Sequence, residues 1–161
     1  MNKALLICLL ILSGRAIALV IDGSKSIEVS ANMVVIDERK NISTYIGKAS
    51  IAQGSLILNA EIIQLFSNQQ SVIKIIAKGT HKQLAHYQQN QPNQSRFIEA
   101  RALNITYLIE QELVHLKGRA HLVQGFDSFS GGTLDYDIKN DKIIISMLKD
   151  GTQRVRFKIK L

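Results

Sequence analysis

From Ile27 onward the apolar positions fall on every second residue. Ile27, Val29, Ala31, Met33 and Val35 alternate with Ser26, Glu28, Ser30 and Asn32. A strand with one buried face has that period of two. The polar turn Asp37–Asn41 ends the run. Extended runs follow over Ile42–Gln53, Leu56–Phe66, Val72–Lys78 and Thr80–Gln88. They resume over Phe97–Tyr107, Leu113–Gln124, Phe126–Tyr136, Lys142–Leu148 and Thr152–Leu161. Gln53-Gly54, Ser67–Ser71, Asn140-Asp141 and Asp150-Gly151 separate them with turn chemistry, and Asp-Gly is a strong hairpin signal. The stretch QQNQPNQS (Gln88–Ser95) has no apolar face to bury, and Pro92 cannot donate to a ladder. It reads as a surface hairpin loop. Regularly spaced strands with turns between them predict an all-β domain.

The chain also repeats itself. GKASIAQG at Gly47–Gly54 returns as GRAHLVQG at Gly118–Gly125, 71 residues later. At that offset Ile27, Glu28 and Ala31 fall on Ile98, Glu99 and Ala102, and no gap is needed up to Ile63 and Leu134. Two similar meander units therefore follow one another. A glycine in mid-strand packs no side chain, so Gly47 and Gly118 predict a bulge or bend in each unit, which is what curls a flat sheet.

The N-terminus changes the picture of what is mature. Lys3 precedes an apolar run from Ala4 to Leu12, and Ala16-Ile17-Ala18 offers a small-residue cleavage site. This is the pattern of a secretory signal peptide over residues 1–18, with residues 19–161 as one domain. The run is short for a permanent bilayer span; an uncleaved anchor is the alternative. Cleavage would remove Cys8, the single cysteine, and would lower the formal charge from +7 to +5. No disulfide or cysteine metal ligand would remain. The basic balance suits an anionic partner, but export argues against nucleic acid.

Catalytic and metal chemistry is not visible. His81 and His86 stand five apart, on opposite faces of a strand, and with His115 and His121 they form no convergent ligand set, so no metal is expected. SFSGG (Ser128–Gly132) lacks the G-x-S-x-G spacing and the strand-to-helix elbow of a serine nucleophile. Asp135 and Asp137 flank Tyr136 at a strand end, where solvated carboxylates are ordinary. No phosphate-cradling glycine motif occurs, and no cofactor is expected. The C-terminus is more informative. Arg154, Arg156, Lys158 and Lys160 alternate with Val155, Phe157, Ile159 and Leu161. One reading is an edge strand guarded by cations; the other is an edge that accepts another chain by strand addition.

Taken together, SAN (Ser30–Asn32), STYIGKASIAQG (Ser43–Gly54) and LNAEII (Leu58–Ile63) resemble the ordered motifs of the LptA/OstA-like family of periplasmic lipopolysaccharide export. The second copy runs through EARALNITY (Glu99–Tyr107), VHLKGRAHLVQG (Val114–Gly125) and SGGTLDYD (Ser130–Asp137). The resemblance spans about Lys25 to Leu161. Asn32 and Gly132 stand where the family carries Asp, and Lys48 and Arg119 where it carries Asn.

The resemblance implies a twisted, partly open antiparallel β-jellyroll whose two facing sheets form a V. It implies a non-enzymatic periplasmic carrier that holds lipopolysaccharide by its lipid A in an apolar groove and moves it from inner to outer membrane. It also implies head-to-tail stacking, with inner-membrane LptC-like and outer-membrane LptD-like proteins as partners. On that reading the groove lining would come from Ile27, Val29, Ala49, Ile51, Leu84, Leu103, Ile105, Tyr107, Leu116 and Leu122. Lys25, Arg101 and Lys117 are candidate rim cations, with plain solubility as the alternative. Arg154, Val155, Arg156, Phe157, Lys158 and Ile159 would form the assembly edge. Two other readings stand beside this one: an anchored inner-membrane relative of the same system, and an exported β-sandwich enzyme.

Overall fold

The computed structural model describes residues 26–68, 71–90, 96–148, 151 and 154–160. The expected signal peptide, Cys8 and Lys25 lie outside them. Twelve strands are present among these residues: β1 (Glu28–Ser30), β2 (Met33–Asp37), β3 (Ile42–Gln53), β4 (Leu56–Asn68), β5 (Ser71–Lys78), β6 (Ala85–Asn90), β7 (Phe97–Ala102), β8 (Asn104–Leu108), β9 (Leu113–Gln124), β10 (Asp127–Asp137), β11 (Lys142–Ser146) and β12 (Arg156–Lys158). Every pairing is antiparallel. The all-β expectation therefore holds.

The 71-residue repeat is also the structural repeat. β3 and β9 are 12 residues each and start at equivalent positions, and β2 and β8 match end for end. Gly47 and Gly118 both have left-handed backbone (φ 82° and 78°), and so do the residues after them, Lys48 (48°) and Arg119 (53°). Two successive positive φ values turn the chain in mid-strand, and only glycine takes the first without steric cost. The ladder slips there, between Ile46 and Ala49 in the first unit and opposite Gly131 and Thr133 in the second.

Two expected strands break at this bend. Ile27–Val35 and Phe97–Tyr107 read as single runs but are each two strands, parted at Asn32 and at Leu103. The Asn32 amide donates to the Gly47 carbonyl at 3.0 Å, and the Leu103 amide donates to the Gly118 carbonyl at 2.8 Å. The bent strand thus supplies the acceptor that turns its neighbour, and an alternating pattern carries no mark of such a corner. Thr80–Gln83 likewise forms a turn, with the Gln83 amide on Thr80 Oγ1 at 3.0 Å, so β6 begins at Ala85.

The bends split the ladder into two branches. One runs β2-β3-β4-β5-β8-β9-β10-β11 and the other β1-β3-β4-β6-β7-β9-β10-β12, with β3, β4, β9 and β10 passing through both. Where the resemblance implies a partly open V of two facing sheets, the pairing is one branched sheet. Its β4-β5-β8-β9-β7-β6 portion closes into a six-strand ring. Within that ring the branches meet: Tyr87 of one packs edge to face on Tyr107 of the other, with ring centroids 6.1 Å apart.

Candidate functional site

The inner face of both branches is apolar throughout. Ala49, Ile51, Leu58, Ile63, Ile75, Tyr87, Ile98, Ile105, Leu116, Leu122, Leu134 and Tyr136 are buried, and no polar or charged side chain among the described residues is buried with them. Period two explains most of this. On β9, Val114, Leu116, Ala120 and Leu122 keep one phase straight through Gly118. The phase change falls on the partner strand instead: Leu56, Leu58 and Ala60 face in on β4, and then Ile63 and Leu65 do. The bulge belongs to one strand and its consequence to the other, because both must keep their apolar residues in the same interior.

Of the expected lining residues, Ala49, Ile51, Ile105, Leu116 and Leu122 lie in this interior. Ile27, Val29 and Tyr107 are half-buried against it. Leu84 and Leu103 are not on strands. Leu84 precedes β6 and is half-buried, and Leu103 fills the corner beside Gly118, where an added Cβ would stand 2.9 Å from Leu103 Cδ1. Residues that the sequence left unselected, Tyr45, Tyr87, Leu134 and Tyr136 among them, share the same space. Their strand phase was the available signal, hidden on β4 and β10 by the parity change.

The interior runs out to both ends of the molecule. Towards the N-terminal edge it continues through Ile27, Val29 and Tyr45; towards the C-terminal edge, through Phe129, Ile143 and Ile145. Both ends expose apolar strand edges. Met33, Val34, Val35 and Ile36 lie open on β2, and Ile144, Val155, Phe157 and Ile159 on or beside β11 and β12. Ile36 is 66% and Phe157 69% exposed, and each stands among other exposed apolar residues rather than alone.

The charged groups sit on the outer faces. Lys117 is exposed between inward Leu116 and Gly118. Arg101 is exposed and binds Glu99 (Nη2 to Oε1, 2.5 Å), which His86 Nε2 also meets at 3.0 Å. Burial alone would raise the Glu99 pKa, but the Arg101 and His86 contacts outweigh it and leave the carboxyl below its ordinary value. A depressed carboxyl pKa stabilises the fold above the unfolded-state value and loses that contribution as pH falls through the folded one. Glu99→Gln should therefore cost stability at pH 7, by about 1 kcal/mol or less because Arg101 is well exposed. The difference should begin to shrink as pH falls through the ordinary glutamate value of 4.5 and vanish only below the lower, folded-state value. Urea unfolding at the two pH values measures it; an equal difference at both would contradict the assignment.

His115 and His121 have partners on the neighbouring strand. His115 Nδ1 contacts Asp135 Oδ1, and His121 Nδ1 lies 2.7 Å from Ser130 Oγ. A shallow depression of about 460 Å³, walled by Thr106, His115, Asp135 and Lys142, lies on the outer face. Its residues alternate with inward Ile105, Val114 and Leu134, so it does not open on the interior. In SFSGG, Gly131 and Gly132 are buried; a Cβ on Gly132 would stand 2.3 Å from the Leu148 amide nitrogen. Close backbone packing explains that motif. Asp137 accepts from the Asn140 amide at 2.9 Å and so closes a turn. Tyr136 is held well above its ordinary pKa, by burial first and the Asp141 carboxylate next, and donates its hydroxyl to Asp141 at 3.1 Å.

Residues 28–142 match the family model described as LptA/(LptD N-terminal domain) LPS transport protein. The chain is 26% identical over 125 residues to the lipopolysaccharide export system protein LptH of Pseudomonas aeruginosa, covering 78% of this chain and 70% of that protein. It is 24% identical over 143 residues to the lipopolysaccharide export system protein LptA of Escherichia coli K12, covering 89% and 76%. The crystal structure of LptH, the LptA-homologous periplasmic component of the lipopolysaccharide transport device of P. aeruginosa, superposes with a TM-score of 0.77. That comparison has 22% identity, covers 87% of this chain and 99% of that one, and bears on the fold.

Proposed function

The chain belongs to the LptA/LptD N-terminal-domain family of lipopolysaccharide transport proteins, and we propose that it is a periplasmic, non-enzymatic carrier of lipopolysaccharide. In this reading the two branches are the walls of a groove, the acyl chains of lipid A lie between them, and the sugars stay in water. The observation that carries it is the interior itself: wholly apolar and continuous from one exposed strand edge to the other. An apolar channel with unpaired edges is a liability for a solitary protein but is useful for a relay. The sequence carries no nucleotide-binding motif, so the energy for transport comes from another component.

The same reading makes each molecule one unit of a head-to-tail bridge. The internal junction between the two repeats is its template. There β5 pairs with β8 and β6 with β7. At the C-terminal end β11 and β12 pair with β10 as β5 and β6 pair with β4, and among the described residues they have no second neighbour in the ladder. At the N-terminal end β1 and β2 flank β3 as β7 and β8 flank β9. A second copy placed by the template would pair its β1 with β12 and its β2 with β11. LptC-like and LptD-like proteins would take the two terminal positions.

Site-specific photo-crosslinking in cells tests the carrier reading. A crosslinker at inward Tyr107 or Ile27 should capture lipopolysaccharide, and one at outward Thr106 or Glu28 should not. Capture only from the outward pair would sink the groove assignment.

A further inference from the structure

We infer that Asp141 is a latch that holds the two branches together on the side of the molecule away from the bends, and that its release opens the interior sideways to acyl chains. This rests on the carrier reading above and adds the route by which the groove is loaded.

The geometry comes from where the chain ends of the branches meet. Gln124 closes β9 and lies next to Asp127, the first residue of β10. Asp141 lies in the turn just past Asp137, the last residue of β10. Laid straight, β10 would hold the two apart by about 35 Å at strand rise. Instead Gln124 Nε2 donates to Asp141 Oδ1 at 2.7 Å. Only the bend at Gly118 and Gly131 brings them together. Arg96, the residue before β7 in the second branch, places Nη1 3.8 Å from Asp141 Oδ2. From the first branch, Tyr136 donates to Oδ1 at 3.1 Å. One carboxylate of the first branch is thus held by two side chains of the second.

The contacts suit a latch better than a permanent seam. Arg96 and Asp141 side chains are 55% and 35% exposed, so water and salt screen the pair and it gives way easily. The interior behind it is packed: Ile98, Val114, Leu122, Leu134 and Tyr136 are buried at 2% exposure or less. Acyl chains find room only where the walls part, and the two positive-φ pairs at the bends place the hinge opposite the latch. The first repeat carries Leu65 where the second has Tyr136, so this carboxylate–hydroxyl pair belongs to the second unit.

The test bridges the latch. Gln124→Cys and Asp141→Cys are combined with Cys8→Ser in the full chain and purified from the periplasm. Side chains that meet tip to tip stand too far apart for a direct disulfide. A short bis-methanethiosulfonate reagent therefore links them, reversibly under reductant. The linked protein should load fluorescently labelled lipopolysaccharide at least tenfold more slowly than the same protein after reduction. Asp141→Gly keeps the left-handed backbone there (φ 49°) and removes the carboxylate. It should load at least threefold faster than the parent, with end-to-end association unchanged. Equal rates linked and reduced, or no gain in Asp141→Gly, overturn the latch while leaving the carrier reading intact. Failure of the unlinked parent to bind lipopolysaccharide at all overturns both.

Discussion

Phe157→Asp should abolish end-to-end assembly while leaving the single molecule folded. Phe157 pairs with Phe129 on β10 in the place that Tyr87 takes opposite Leu58 on β4. In the internal junction Tyr87 faces Ala100 across the ladder. Transferred to the outer junction, Phe157 faces Val29 of the next copy and would be covered there. An aromatic anchor at the centre of a joint is worth about 2 kcal/mol or more, so a charge in its place should weaken association by at least about 30-fold. The isolated fold should hardly notice, because Phe157 is largely exposed within one chain.

The template also aligns charge. Gln88 faces Glu99 inside the chain, and the outer equivalent sets Lys158 against Glu28 of the next copy. The β5–β8 register likewise sets Lys142 against Asp37. Glu28→Lys and Lys158→Glu should each weaken association a few-fold, and combining them should restore it, since exposed pairs are worth about 1 kcal/mol or less. Sedimentation at several concentrations reads both experiments. Unchanged association in Phe157→Asp, or a double exchange weaker than either single one, would refute this register.

The largest loss of stability is expected at Gly79. A Cβ there would stand 2.2 Å from the Ala85 amide nitrogen, 2.6 Å from the Leu84 carbonyl carbon and 2.7 Å from the Gln83 oxygen. All three are backbone atoms, which cannot swing aside as a side-chain tip can. The Gly79 amide also donates to the Leu103 carbonyl at 2.8 Å, tying the corner after β5 to the corner between β7 and β8. Gly79→Ala must push these corners apart. We expect a loss of about 3 kcal/mol, the upper range for overpacking a close contact. For a domain of this size that is a fall in Tm of about 9 °C. Gly125→Ala is the control. It has the left-handed backbone (φ 61°) but nothing within 4 Å of the added carbon. Its cost should be only the conformational one, about 1 kcal/mol. Equal losses at the two sites would show that the Gly79 contact is not what the geometry describes.

Much of the fold was legible because strands announce themselves locally. β3 and β9 begin and end where the alternation does, and the offset of 71 aligns both units within the sequence itself. The mid-strand glycines pointed to the bends for a steric reason: a positive φ is cheap only without a Cβ. The lining was legible where the phase runs unbroken, as from Val114 to Leu122. It was lost on β4 and β10, where a neighbour's bulge shifts the parity, and at Leu84 and Leu103, where apolar side chains serve corners.

By itself, the sequence determined the extended runs, their repeat, the bends at Gly47 and Gly118 and the apolar face of each unbroken strand, but not the corners at Asn32 and Leu103. These follow from neighbours in the chain, through period, turn chemistry and backbone sterics. Only the tertiary structure decided that β4 and β9 serve both branches and that the pairing closes into a ring. It also decided that Arg101 binds Glu99 on the outside and that Gln124 meets Asp141 across the bend. Those outcomes depend on which distant strands share a ladder. A period of two gives every strand a face and leaves its partner open.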